Sequence, residues 1–210
     1  LPAFALLASA VFGFGAEVKP FKWSGDLNVP DPTSVTFDEA GNAYVASTTR
    51  RQAGDLDIRE HRLWIPDDVG LTSPADKLAF YQRELAPGKM KSGRGSLKDH
   101  NKDGSVDWKD LTFHQERIYK LTDTDRDGVA DKITIFAEGF NSPVSGIAAG
   151  VLYFDGWVYV TAIPDVWRLK DADGDGVAEL KELVATGFGG HIAYAGHDMH
   201  GLRLGPDGRI

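Results

Sequence analysis

The residues best suited to chemistry are acidic side chains that alternate along three short loops. The segments "LTDTDRDGVADKI" (121–133) and "LKDADGDGVAEL" (169–180) each carry three aspartates at every second position, then a glycine and a further acid. Their first aspartates, Asp123 and Asp171, are 48 residues apart. In "DHNKDGSVDWKD" (99–110), oxygen-bearing side chains occupy positions 1, 3, 5, 7, 9 and 12 with glycine at position 6. That is the EF-hand spacing, with a final Asp in place of Glu.

This spacing suits calcium. A hard cation takes six to eight oxygen ligands at roughly 2.3 to 2.6 Å, and alternate side chains converge on one point only where glycine allows a sharp turn. Without a cation, the clustered carboxylates would repel one another. The alternative is that the loops are Asp-Gly turns that bind no ion. The predicted ligands are Asp99, Asn101, Asp103, Ser105, Asp107, Asp110, Asp123, Asp125, Asp127, Val129, Asp131, Asp171, Asp173, Asp175, Val177 and Glu179.

Three histidines near the end of the chain form a second candidate site. The segment "GGHIAYAGHDMHGLRLGPDGRI" (189–210) contains His191, His197 and His200. An imidazole titrates near pH 6.5 and can act as a general base that removes a hydroxyl proton. A metal ion shared between imidazoles is a second interpretation, and hydrogen bonds that stabilise a loop are a third.

Composition excludes several classes of function. The formal net charge is -8 and no sustained Lys/Arg run is present, which argues against binding to nucleic acid. The chain has no cysteine, so thiol catalysis, zinc-cysteine sites and covalent haem attachment within this chain are excluded.

The acidic loops lie between segments that alternate like β-strands. "ERIYKL" and "KITIFAEGF" flank the Asp123 loop, "DVWRLK" and "ELKELVATGF" flank the Asp171 loop, and Asp155-Gly156 joins two strand-like runs. "TSVTFDEAGNAYVAST" and "HGLRLGPDGRI" look related to these runs. The 48-residue period predicts an all-β chain that forms an incomplete β-propeller, several blades of a six-bladed ring. A β-sandwich is the alternative.

One segment interrupts this pattern. Residues 51–112 show little strand alternation, and "SPADKLAFYQREL" predicts a helix with Ser73 as N-cap and Pro74 at the first helical position. We therefore expect a small helical and EF-hand-like insertion. The charged "RRQAGDLDIREHR" (50–62) is interpreted as a solvated connection.

The first residues predict export. The apolar run 1–16 ends before Glu17 and is typical of a truncated signal peptide, with an uncleaved anchor as the alternative. We therefore expect residues 17–210 to be the N-terminal part of a propeller domain in an extracytoplasmic protein, periplasmic or associated with a membrane through regions not present in this chain.

Two resemblances bear on function. "HDMHGLRLGPDGRI" is similar to the stretch of soluble quinoprotein glucose dehydrogenases in which a histidine eight residues before Gly-Pro-Asp is the catalytic base, a position that His197 matches. Most of residues 17–210 resemble the membrane-bound dehydrogenase family, whose propeller precedes a haem-binding CxxCH domain. The resemblance rests on segments such as "LDIREHRLWIP", "DKLAFYQRELAP" and "DADGDGVAEL".

The resemblance implies a calcium-binding oxidoreductase. His197 would accept a proton from a sugar or alcohol substrate, with a weaker role for His200, and electrons would pass through a quinone such as PQQ to a haem domain outside this chain. The alternative is a calcium-stabilised propeller without catalytic activity that binds glycans or a protein partner.

Overall fold

The strands of the protein form two four-stranded antiparallel sheets. A computed structural model describes residues 19–51, 53–90, 97–194 and 197–210, so the predicted signal peptide 1–16 lies outside the described residues. Within these ranges, no helix has the length and apolar character needed to cross a membrane.

The first sheet contains strands β1 to β4 in sequence order. A tight turn joins β1 to β2, because one Asp38 oxygen accepts from the N–H groups of Ala40 and Asn42 at 3.0 and 2.8 Å. The strands are β1 (Pro32–Phe37), β2 (Ala43–Ser47), β3 (Glu116–Thr122) and β4 (Lys132–Phe140).

The second sheet repeats this order with strands β5 to β8. Asp155 and Gly156, with φ of 50° and 75°, form the predicted two-residue turn between β5 and β6. The strands are β5 (Ala148–Phe154), β6 (Trp157–Ala162), β7 (Asp165–Lys170) and β8 (Leu180–Thr186).

The two sheets pack face to face through an apolar core. Tyr44, Ile118 and Phe136 of the first sheet belong to the same buried cluster as Val160 and Leu169 of the second sheet. Burial of this apolar surface is the main force that holds the sheets together.

The first strands of the two sheets lie side by side. The Thr33 hydroxyl donates to the Ala148 carbonyl at 2.5 Å, and the hydroxyls of Ser34 and Thr36 accept from the N–H groups of Val151 and Tyr153 at 3.3 and 3.1 Å. Hydroxyl groups of β1 therefore satisfy main-chain groups of β5 that have no strand partner on that side.

A helical insertion occupies residues 48–115, between β2 and β3, close to the predicted bounds of 51–112. The Ser73 hydroxyl caps the second helix by accepting from the Asp76 N–H at 3.1 Å, and Pro74 is the first helical residue, as predicted. The insertion contains α1 (Ile65–Val69), α2 (Pro74–Glu84) and three short 3-10 helices, Ile58–Glu60, Arg62–Trp64 and Trp108–Thr112.

Because neighbouring strands are antiparallel, their connections alternate between two opposite edges of the sheets. The acidic edge consists of the connections 38–42, 123–131, 155–156 and 171–179. The histidine edge consists of the insertion 48–115, the connections 141–147 and 163–164, and the segment that follows β8. The two groups of predicted site residues, the paired acidic loops and the histidines, therefore lie on opposite edges.

The strand expected in "HGLRLGPDGRI" is not found within residues 197–210. Gly205 instead donates to the Arg209 carbonyl at 2.6 Å, and Gly208 donates to the Gly205 carbonyl at 3.0 Å. These local hydrogen bonds around Pro206 close a turn, which takes the place of the expected strand pairing.

Candidate functional site

The two paired acidic loops occupy equivalent places. The Asp123 loop connects the third and fourth strands of the first sheet, and the Asp171 loop connects the third and fourth strands of the second. Both loops have left-handed backbone at positions 4 and 6, with φ of 63° and 94° at Arg126 and Gly128. The corresponding values at Gly174 and Gly176 are 86° and 99°. Position 6 is glycine because side chains rarely adopt this backbone conformation.

Main-chain N–H groups orient the first carboxylate of each loop in the same way. Asp123 accepts from Arg126 at 2.7 Å and from Gly128 at 2.9 Å. Asp171 accepts from Gly174 at 2.7 Å and from Gly176 at 2.9 Å. The loops therefore share one hydrogen-bonding pattern as well as one sequence pattern.

The carboxylates of these loops converge as a metal site requires. Asp123, Asp125 and Asp127 each offer an oxygen within 4.8 Å of the others. The second loop brings together four acidic residues on the same criterion, Asp171, Asp173, Asp175 and Glu179. Oxygens at these separations can share one ion at the 2.3 to 2.6 Å distances that are typical of calcium.

The loops differ at their last acid. Asp131 accepts from both the hydroxyl and the N–H of Thr124, at 2.6 and 2.9 Å, and it does not join the convergent group. The hydrogen bond from the Thr124 hydroxyl is the largest cause that lowers the pKa of Asp131. Position 2 of the second loop is Ala172, which offers Glu179 only its N–H, at 2.6 Å. The Asp171 loop therefore has one more converging carboxylate.

Each loop also bonds to a residue earlier in the chain, the first loop to the segment before β1 and the second loop to β4 of the first sheet. Ala130 donates its N–H to the Trp23 carbonyl, and Ala178, 48 residues later, donates to the Phe136 carbonyl, both at 2.8 Å. The Lys120 ammonium lies 3.3 Å from an Asp171 oxygen and links the second loop to β3. An ion that orders the loops would therefore also stabilise the contacts of the first loop with the segment before β1 and of the second loop with the first sheet.

The third loop has a related backbone but a different arrangement of acids. Lys102 and Gly104 have φ of 59° and 88°, and Asp99 accepts from the Gly104 N–H at 3.1 Å. Asp107 and Asp110, however, form the capping box of the Trp108–Thr112 helix. The acids of this loop do not form a convergent group among the described residues. The other predicted ligands, Asn101, Asp103 and Ser105, are connected by hydrogen bonds within the loop.

The histidine segment is held between the insertion and the second sheet. Ile192 donates its N–H to Asp68 at 2.7 Å, and the Met199 carbonyl accepts from the Thr161 hydroxyl at 2.6 Å. The imidazole of His191 contacts the Asp68 carbonyl at 2.8 Å. His197 and His200 are exposed, and the His197 ring lies 5.5 Å from the ring of Tyr194. Within the described ranges, these histidines belong to no convergent metal-ligating group.

Buried charges at the histidine edge were not predicted from the sequence. Arg50 and Asp55 are buried, so the interpretation of residues 50–62 as a solvated connection is wrong for them. The Arg50 guanidinium donates to five main-chain carbonyls, those of Leu111, His114, Gly54, Ser142 and Ser145. Glu116 accepts from Thr48, Thr49, Arg50 and Ala148. These two residues connect the insertion to both sheets.

Asp55, Lys77 and Asp198 form a second group of buried charges. Burial, followed by the charge of Asp198, raises the pKa of Asp55 to about 7. Burial also lowers the pKa of Lys77, whose ammonium donates to the Val144 carbonyl at 3.3 Å. Asp198 accepts from the Ile147 N–H at 2.6 Å. Burial therefore disfavours the charged forms of all three side chains, and Asp198 is the neighbour of His197 in the chain.

A family model matches residues 22–210, which include both sheets, the insertion and the histidine segment. It is described as a domain of unknown function, DUF7133. The chain belongs to the DUF7133 family. No curated protein and no solved structure matches it significantly. The matched range makes the acidic loops and the buried charges parts of one DUF7133 domain.

Proposed function

We propose that this DUF7133 domain is a calcium-stabilised β-propeller module whose histidine edge carries the binding or catalytic site. The observation that carries the proposal is the equivalence of the Asp123 and Asp171 loops in successive sheets. Two four-stranded antiparallel sheets that pack face to face, with their first strands side by side, are the arrangement expected of neighbouring blades.

Calcium fits the donor set of both loops. The converging groups are carboxylates, and the main-chain carbonyls of Val129 and Val177 occupy position 7 of the pattern, where an EF-hand loop supplies a carbonyl ligand. Exposed loops of this kind in extracellular modules bind calcium with dissociation constants of about 10⁻⁴ to 10⁻³ M. This range agrees with the proposed extracytoplasmic location, where free calcium is high enough to fill such sites.

The test is a calcium titration by isothermal calorimetry of the wild-type chain and of Asp127→Ala and Asp175→Ala. Each variant is expected to lose one calcium equivalent, because each removes one converging carboxylate from a different loop. Asp155→Asn removes a charge from the same edge outside the acidic loops and should titrate like the wild type. Wild-type binding curves from both loop variants would contradict the proposal.

A dehydrogenase is the second candidate, favoured by the position of His197 beside the buried acid Asp198, which interacts electrostatically with Asp55 and Lys77. His197 would accept the hydroxyl proton of a sugar or alcohol, while the hydride on the same carbon passes to a two-electron oxidant of the quinone class. The test is turnover of an aldose or alcohol donor with an artificial electron acceptor. His197→Ala should lower the rate about a hundred-fold to ten-thousand-fold, while His200→Ala should lower it less. Equal activity of wild type and His197→Ala would remove this candidate and leave a binding module for glycans or a protein partner.

The described residues next to His197 do not fit PQQ. That quinone carries three carboxylates and needs several cations, whereas the residues shown to interact with His197 are Tyr194 and the buried acid Asp198. Arg59 lies over the Tyr194 ring at 4.9 Å, but its guanidinium is bound to Asp57 at 2.5 to 3.0 Å. The dehydrogenase proposal therefore concerns proton transfer by His197, and both the quinone and the haem domain remain implications of the resemblance.

A further inference from the structure

Two histidines outside both proposed sites face each other in the insertion. The Nδ1 atom of His100 lies 3.1 Å from the Nε2 atom of His114, and the two rings are nearly perpendicular, at 82°. Both side chains are partly buried. The pair connects the start of the Asp99 loop to the residues just before β3.

The main chain holds each histidine in place. The His100 N–H donates to Asp110 at 2.8 Å, and the His114 carbonyl accepts from the buried Arg50 guanidinium at 3.0 Å. Phe113 stacks near His100, with 6.2 Å between the ring centroids. The main chain of both histidines is therefore held by contacts that do not depend on the bond between the two rings.

The separation of the two nitrogens suits a shared metal ion. Two imidazole nitrogens at about 2.0 to 2.1 Å from one ion lie about 3.3 Å apart at a tetrahedral angle and about 2.9 Å apart at a right angle. The observed 3.1 Å lies between these values. We propose that His100 and His114 chelate a first-row transition metal ion, Cu²⁺, Ni²⁺ or Zn²⁺, with water completing the coordination. Imidazole is a preferred ligand for these ions.

Binding requires a change of tautomer. In the hydrogen-bonded pair, one of the two facing nitrogens carries a proton. When a metal ion binds, that proton moves to the other nitrogen of the same ring and the two rings tilt, so both rings stay neutral and the two lone pairs converge on the ion. Oxidation and net proton release are not involved.

The proposed site differs from the calcium loops in its chemistry. No third histidine or carboxylate converges on the pair within the described residues, so the protein would supply two nitrogen ligands and no oxygen. Calcium prefers oxygen ligands and should not compete for this site. A bound metal would fasten the Asp99 loop to the residues before β3.

The test is titration of the calcium-saturated chain with CuCl₂, followed by electron paramagnetic resonance. The wild type is expected to bind one Cu²⁺ tightly, with hyperfine coupling to two imidazole nitrogens. His100→Gln and His114→Gln should each weaken this binding at least ten-fold and leave at most one coupled nitrogen. Glutamine can still form a hydrogen bond but cannot complete the chelate.

The matched control is the triple variant His191→Gln, His197→Gln, His200→Gln, which removes the exposed histidines and should keep the tight Cu²⁺ site. Tight binding that disappears in this variant would overturn the proposal, as would wild-type affinity in His114→Gln. Coupling to fewer than two nitrogens in the wild type would identify the pair as a hydrogen bond only, and this measurement does not depend on whether a variant folds.

Discussion

Replacing Asp175 by asparagine should stabilise the chain in chelator and reduce the further stability that calcium adds. Asp175 lies in the convergent group of the second loop, and one of its oxygens accepts from the Val177 N–H at 2.7 Å. The asparagine side-chain oxygen can keep this hydrogen bond, so the substitution removes the charge and one strong ligand while it preserves the turn.

The expected magnitude follows from binding linkage. A loop with a dissociation constant of about 10⁻⁴ M contributes about 2.7 kcal/mol at 10 mM calcium, and a ten-fold weaker loop contributes about 1.4 kcal/mol. Calcium should therefore raise the Tm of the variant by about 3 to 5 °C less than it raises the Tm of the wild type. In chelator the variant should melt about 2 to 4 °C higher than the wild type, because unit charges about 4 Å apart in water repel by about 1 kcal/mol. In 10 mM calcium the two effects nearly cancel, so the variant should melt at or slightly below the Tm of the wild type.

Thermal unfolding in 10 mM CaCl₂ and in chelator measures both shifts. Asp155→Asn is the control, because it removes the same charge from the same edge but lies outside the acidic loops. Asparagine also tolerates the left-handed backbone of that turn. If Asp175→Asn shifts the Tm equally in both solutions, the carboxylate is not a metal ligand.

Three further outcomes are expected. In urea unfolding, Gly176→Ala should destabilise the chain more than Gly128→Ala. Both glycines have positive φ, but only at Gly176 would the new Cβ meet another side chain, the Thr134 hydroxyl oxygen at 3.2 Å. Equal losses of stability in the two variants would contradict this reason. Thr124→Ala should strengthen calcium binding to the first loop by releasing Asp131, and unchanged calorimetric affinity would argue against that role. Burial raises the folded-state pKa of Asp55 to about 7, above its unfolded value. Ionisation of Asp55 therefore opposes folding, and the stability of the wild type should fall as the pH rises from about 4 to about 7. Asp55→Asn should flatten this part of the pH profile of the urea midpoint, and an unchanged slope would show that Asp55 does not cause it.

Features that depend on neighbouring residues were predictable from the sequence. The strands on either side of both paired loops, the Asp155-Gly156 turn and the Ser73 cap all lie where the pattern indicates. The hydrogen bond from the Thr124 hydroxyl to Asp131 was not predicted, although its signal is local. Position 2 is threonine in the first loop and alanine in the second.

Features that depend on distant residues were not predictable. Arg50 is fully buried because carbonyl groups up to 95 residues away, including that of Ser145, accept its N–H groups. The sequence around Arg50 is highly charged and is typical of a solvated segment. Contacts with distant residues, rather than the neighbouring sequence, therefore decide that Arg50 is buried.

The most direct test of calcium binding is a crystal structure of the calcium-loaded chain with anomalous difference maps. We expect one anomalous peak in each paired loop, with oxygens of Asp123, Asp125 and Asp127, or of Asp171, Asp173 and Asp175, at about 2.3 to 2.6 Å. The Val129 and Val177 carbonyls should face these peaks. Well-ordered loops without a peak at 10 mM CaCl₂ would contradict the calcium assignment.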